Sequence, residues 1–299
     1  LKFYKSGRGK GVKPILGAEL IMEGEGNQPG PRVLVLVQST LGYHNLSEIL
    51  ARGWTGNVPR GQAQSLSKWE WLQELGEGLI LLSGANAGPV GQALLRGDKE
   101  GAAREALRMA SLFPHRFYLE LQRAGRPEDE SLVVQTVQLA ARLNLPVVAT
   151  HPVQFFKPGD FESHEARVCI AEGEVLGNTK RVKRFTREQY LKSSAEMQAL
   201  FADVPSALEN TVEIARRCSV TLLLGKNFLP DFPTPNGMPA EDYFRHASYE
   251  GLEERLHLLF PNEAKRQAAR PSSCAQRRVA TRTSFAPASA VPSGAASTI

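Results

Sequence analysis

The sequence predicts an α/β fold: a parallel sheet or barrel with helices packed on its faces. Short apolar runs alternate with longer segments of helical period along most of the chain. The runs are too uniformly apolar to leave one face wet, as expected of strands covered on both sides. The clearest of them, in LPVVATHPVQF (145–155), falls from four apolar residues, 146–149, straight into Thr150-His151-Pro152. In a β/α barrel the working residues sit where strands end and loops begin. His151, Pro152 and Gln154 therefore occupy a site-shaped position, although Pro152 and Gln154 can neither hold a metal nor move a proton.

Strands are expected over 14–22, 33–37, 79–82, 116–121, 146–149 and 220–224. Helices are expected over 43–53, 68–75, 99–113, 128–143, 161–171, 195–201, 205–218 and 240–260. Glu128, Asp129 and Glu130 place acid in a first helical turn, which the helix dipole favours. Asp203 stands where it could cap the helix starting near Pro205, and Ala207, Leu208, Thr211, Val212, Ala215 and Cys218 follow at helical spacing.

Of the 299 residues, 42% are hydrophobic and 22% charged, which suits one large barrel or two domains. No run approaches the roughly 18 apolar residues of a membrane span, and no signal peptide is visible. Cys169, Cys218 and Cys274 are too few and scattered for a disulfide framework, so a cytoplasmic location is expected. The net charge of +5 misleads. Residues 265–299 hold Lys265, Arg266, Arg270, Arg277, Arg278, Arg282 and no acid, so residues 1–264 carry −1. The body has no net field to attract phosphate. Residues 265–299, rich in Ala, Ser, Arg and Pro, are expected to be a disordered basic tail; an out-of-frame reading of a GC-rich gene fits the same composition, and a basic tail binding nucleic acid is the other reading.

Several segments together resemble the N-terminal PHP (polymerase and histidinol phosphatase) domain of the C-family bacterial replicative DNA polymerases, the DNA polymerase III alpha subunits. They are LKFYKSGRGKGVKPILGAEL (1–20), TLGYHNLSEIL (40–50), GLILLSG (78–84), RFYLELQRAGRPEDES (116–131), LPVVATHPVQF (145–155), FADVPSALENTVEIARRCSV (201–220), FLPDFPTP (228–235) and GLEERLHLLFP (251–261), in the family's order and spacing. The resemblance covers 1–264, running into the start of the polymerase region, and leaves out the tail. It implies a distorted (β/α)7 TIM-like barrel, incomplete here because the family's first strand would precede Leu1.

The resemblance also implies a metal pocket whose ligands can be checked residue by residue. Metal-binding members set His, Asp, Glu and Cys at strand ends around a cluster of ions that could deliver a hydroxide to a phosphodiester. The family's Glu in the "GAE" segment matches Glu19. A ligand His corresponds to Arg32, a Cys to Ala85, and an Asp-x-His pair to Pro152 and Gln154. Arg32 brings a fixed positive charge that would repel a cation and could pair with Glu19. These five positions read as vestigial, and no metal is expected. The parent family polymerises DNA with Mg2+ bound to palm carboxylates that lie downstream, so this stretch is expected to hold no catalytic residue and no cofactor.

Other residues have blander readings. His151 reads as a hydrogen-bonded loop histidine, and His164, in a helix, as bonded to backbone. Glu120 ends a strand, yet Tyr118-Leu119-Glu120-Leu121 fits alternation with one wet face. Arg123, Arg126, Glu128 and Asp129 read as a solvated loop. Lys5, Arg8, Lys10 and Lys13 form a glycine-spaced basic segment without P-loop spacing. Trp54, Trp69 and Trp71 read as partly buried anchors. The leading expectation is a non-catalytic module that braces the polymerase core and docks the proofreading exonuclease among the other holoenzyme subunits, meeting DNA through the polymerase region and touching no membrane. The alternatives are a metal-dependent phosphoesterase or 3′–5′ exonuclease, and a nucleic-acid binder using the tail.

Overall fold

The computed structural model describes residues 1–58, 64–178, 180–227 and 232–270. The expected tail from 271 onward and residues 228–231 of FLPDFPTP lie outside the described residues. The chain divides into two compact units, Leu1–Leu223 and Leu224–Ile299.

In the first unit the elements run α1 (Lys2–Gly9), β1 (Gly17–Glu23), β2 (Pro29–Val37), α2 (Thr40–Gly56), α3 (Trp69–Leu75), β3 (Leu79–Leu82), α4 (Pro89–Leu95), α5 (Lys99–Leu112), β4 (Phe117–Gln122), α6 (Asp129–Leu143), β5 (Val147–Thr150), α7 (Phe161–Glu172), α8 (Ser194–Leu200) and α9 (Pro205–Arg217). The strands form one five-stranded sheet in the order β1-β2-β3-β4-β5. The expected all-parallel sheet is corrected. β2 runs antiparallel to both β1 and β3, and only β3-β4-β5 is parallel. The short link Gly24–Gln28 between β1 and β2 turns the chain straight back, whereas α4–α5 and α6 carry it across between parallel neighbours.

Residues 79–82 and 117–121 are buried at every position, so β3 and β4 are covered on both faces. The main core joins Val33, Val35 and Val37, Leu79 and Leu81, Leu119 and Leu121 to Ile49, Leu72, Met109, Phe113 and Phe201 from the helices. A smaller cluster packs Ile80, Leu82, Tyr118 and Val148 against Ile214 and Cys218 of the α9 end. At about 25 cal/mol per Å2 of apolar surface, these two faces supply the main drive for folding.

Three further expectations are corrected. Residues 220–224 form no strand; Val220 and Leu222 are instead held by Tyr4, whose hydroxyl donates to the Val220 carbonyl and accepts from the Leu222 N–H. Of the basic segment, Lys5 and Arg8 lie in helix α1, and Lys13 beyond it bonds Ala215 O at 2.7 Å and Ser219 Oγ at 2.9 Å at the end of α9, a placement on which the sequence made no claim. Asp203 does not cap α9, whose cap residue is Val204; it pairs with Arg123 at 2.7 Å. Between the expected strand 79–82 and the expected helix 99–113, helix α4 lies outside the expected helices. Pro89 sits in its first turn, where the missing N–H costs nothing.

In the second unit α10 spans Ala240–Leu259. Residues 263–270 are also helical, so the tail expected from 265 begins inside a helix. Arg266 bonds His257 at 2.9 Å and Arg270 pairs with Glu253 at 2.5 Å, which ties this helix to α10.

Candidate functional site

The parallel strands β3, β4 and β5 bring their C-terminal ends together around Glu120. Residues Ser83 and Gly84 follow β3, Glu120 and Gln122 close β4, and Thr150 closes β5. Glu120 is buried, which corrects the expectation of a wet face at this strand. Its carboxylate accepts from the Gly84 N–H at 3.1 Å, from Gln122 Nε2 at 2.9 Å and from the Thr150 hydroxyl. Ser83 Oγ accepts from the Glu120 N–H at 2.9 Å. Burial pushes the Glu120 carboxyl above its ordinary range, the three donors pull it back, and the nearby Glu19 charge adds a small upward push.

The turn after β3 is built for this contact. Gly84 (φ +80°) and Ala85 (φ +45°) are both left-handed, which aims the Gly84 N–H at the carboxylate. A Cβ on Gly84 would lie 2.0 Å from the Arg32 carbonyl, so only glycine allows β2 to approach. Ala85, which the resemblance sets against a cysteine, is buried and offers only a methyl group. Beside it a cavity of about 10 Å3 is lined by Ala85, Glu120, Gln122, Arg126, Asp129 and Thr136, room for about one water molecule. Arg126 Nη1 is buried without a hydrogen-bond partner among the described residues.

Glu19 and Arg32 meet on the outer pair β1–β2 as an exposed ion pair at 2.8 Å. An ion there would have to displace a guanidinium that is always charged. Beyond β5, His151 Nε2 lies 2.8 Å from the Glu188 carbonyl, while its buried Nδ1 has no partner among the described residues. Burial, helped by Lys192, holds this imidazole below its ordinary range. The Pro152 carbonyl accepts from Gln189 Nε2 at 3.0 Å, and the Gln154 N–H donates to the Gln189 carbonyl at 2.8 Å, with the Gln154 side chain exposed. Backbone carbonyls, the Gln189 amide and the His151 ring thus fill the mouth beyond β5.

The structure therefore gathers Glu120 and Ala85 at one cavity, pairs Glu19 with Arg32 beside it, and leaves Gln154 facing solvent. Among the described residues no group of three or more His, Cys, Asp or Glu side chains is arranged to hold a metal ion. The residues present do not fit a multi-ion cluster. At the cavity Glu120 is occupied by three donors and Asp129 accepts from the Ala124 and Arg126 N–H groups, while Glu19 is held by an arginine.

Sequence reasoning missed Ser83, Gln122 and Thr150 as partners of Glu120. The signal was available in part: Gln122 is two residues on from Glu120, and Thr150 ends its strand. The loop 123–129 also differs from the solvated surface expected. Arg123 is 11% exposed and bridges Glu130 and Asp203 over the Phe201 ring, and Asp129 is buried, accepting from the Ala124 N–H at 2.6 Å. Trp54 is exposed, whereas Trp69 packs under Arg108 at 3.9 Å.

Residues 1–124 match the family model described as the PHP domain. The chain is 49% identical over 273 residues to the DNA polymerase III subunit alpha of Pseudomonas aeruginosa, an alignment covering 89% of this chain and 23% of that protein. It is 47% identical to the subunit of the same name from Neisseria meningitidis serogroup A over 91% of this chain and 24% of that protein. To the subunit from Escherichia coli K12 it is 44% identical over 91% of this chain and 23% of that protein. The chain thus spans about a quarter of the length of these curated relatives. No described helix is long and apolar enough to cross a membrane.

Proposed function

We infer that this chain is a segment of a bacterial DNA polymerase III alpha subunit, and we propose that its PHP region is a metal-free structural module within that replicative enzyme. Identity of 44–49% across some nine-tenths of this chain supports the first statement. The second rests on one observation: where the pocket would need ligands, Glu19 is tied to Arg32, Glu120 is saturated by neutral donors, and Ala85, Pro152 and Gln154 provide no ligand set. In this reading β1–β5 and their helices belong to a distorted (β/α)7 barrel. Its role is to brace the polymerase core and to dock the proofreading exonuclease subunit. Mg2+ and DNA are handled elsewhere in the enzyme.

Elemental analysis of the purified chain after exposure to Zn2+, Mn2+ and Fe2+ tests the metal-free reading. Less than one bound equivalent is expected. About two or three tightly held equivalents, with phosphodiesterase activity, would establish the metal-dependent nuclease instead. Co-sedimentation with the exonuclease subunit tests docking, and a failure to associate at micromolar concentration would remove that role.

A further inference from the structure

After α7 the chain returns as a basic strap, residues 180–192, laid across α7 and the exit of β5. Three arginines of the strap face glutamates of α7: Arg181 with Glu165, Arg184 with Glu172 at 3.4 Å, and Arg187 with Glu162 at 3.9 Å. The first pair is almost fully buried, with side chains 7% and 3% exposed. The far end of the strap closes the mouth described above. Thr186 donates to the Ala124 carbonyl, Glu188 receives His151, Gln189 grips Pro152 and Gln154, and the Leu191 N–H donates to the Phe155 carbonyl at 3.0 Å.

His164 stands at the centre of this contact. Its ring meets Phe185 of the strap edge-on at 4.7 Å and Phe155 at 5.5 Å, and the residue is 6% exposed. Contrary to the backbone bond expected from the sequence, neither ring nitrogen has a partner among the described residues. Glu165 Oε1 and Arg181 Nε are likewise buried and unpartnered. A neutral imidazole can sit in such a box as an aromatic filler. An imidazolium would bury a charge with two unsatisfied N–H groups.

We propose that residues 180–192 are an acid-released strap over the β5 exit, with His164 as its latch. Neutral His164 holds Phe185; protonated His164 lets the strap lift from α7 and uncovers His151 and Pro152. The charged groups around the ring are Glu165 and Arg167 on α7 and, from the strap, Arg181 in the grip of Glu165. Burial, then Arg167, hold the imidazole below its ordinary range, and Glu165 works in the opposite direction. The sign follows: docking is strongest above pH ~6.5, the free-histidine value, and weakens as pH falls below it. One proton taken up only in the lifted form gives roughly a tenfold loss of docking between pH 7.5 and 5.5.

Hydrogen exchange on the 299-residue chain at pH 7.5 and 5.5, normalised to the intrinsic exchange rate at each pH, reads this directly. The Gln154 and Leu191 amides should lose about tenfold in protection at pH 5.5 while α6 amides keep theirs. His164→Phe should abolish that pH dependence. Glu165→Gln should lower strap protection at both pH values and leave the ratio between them. Unchanged protection in the wild type, or the same drop in His164→Phe, overturns the proposal. Should His164→Phe not fold, a wild-type NMR titration decides: an imidazolium at position 164 with the strap amides still protected refutes the latch.

Discussion

Removing the Glu120 carboxylate tests whether this residue is a structural acceptor or a ligand remnant. In Glu120→Ala the part-buried Gly84 N–H loses the carboxylate acceptor it has at 3.1 Å. A buried unpaired donor costs about 1–3 kcal/mol. Gln122 and Thr150 keep each other, since Gln122 Nε2 already lies 3.1 Å from Thr150 Oγ1. The lost side chain enlarges a cavity of about 10 Å3, adding on the order of 1 kcal/mol. Relief of a buried charge offsets part of this, so a net loss of about 2–3 kcal/mol is expected. Glu120→Gln keeps an oxygen for Gly84 and presents its amide to Thr150 and Gln122, both of which can reverse their roles. It should fall within about 1 kcal/mol of wild type at pH 7.5.

The pH dependence has a definite sign. Because the folded carboxyl titrates above its ordinary value, the ionised form is penalised in the folded chain. Wild type should therefore gain stability relative to Glu120→Gln as pH falls from neutral toward the ordinary Glu value near ~4.3. Urea unfolding followed by tryptophan fluorescence at several pH values gives both quantities. A glutamine variant as unstable as the alanine one, or a wild-type–glutamine difference independent of pH, would refute the acceptor role.

Other outcomes follow from the packing. Gly42→Ala places a Cβ 1.9 Å from the Gly78 carbonyl oxygen, backbone against backbone, and should cost 3 kcal/mol or more in urea unfolding, at the upper end of the ~1–3 kcal/mol typical of overpacking; Gly9→Ala, which meets nothing within 4 Å, is the control. Lys13→Met removes the cation bonded to the last carbonyls of α9 and should lower stability by about 1 kcal/mol on the same measurement. The Glu196 carboxyl accepts from the Ser193 N–H and hydroxyl and from Tyr190, which hold its pKa down at about 2. Its NMR titration should show that midpoint, and Ser193→Ala should raise it. Any stability this depressed acid gives the start of α8 is present above the ordinary Glu value and lost as pH falls through about 2.

Periodicity and composition by themselves determined much of this protein. Five of the strands, most of the helices and the apolar faces that meet in the core follow from local pattern, because each strand or helix must bury its own stripe. The site-shaped drop after residue 149 was also legible, since a strand end is a local event. The direction of β2 was not, because periodicity is blind to the sense in which a strand runs. Only the tertiary structure decided what Glu120, Asp129 and Arg123 do. Their partners lie on other strands and helices, so a charged residue in a turn and one sealed beneath a helix read alike in sequence. His164 is the sharpest case. Its helix was predictable, but the two phenylalanine rings packed against it, Phe155 and Phe185, come from segments nine residues before it and twenty-one after, brought together by the path of the strap.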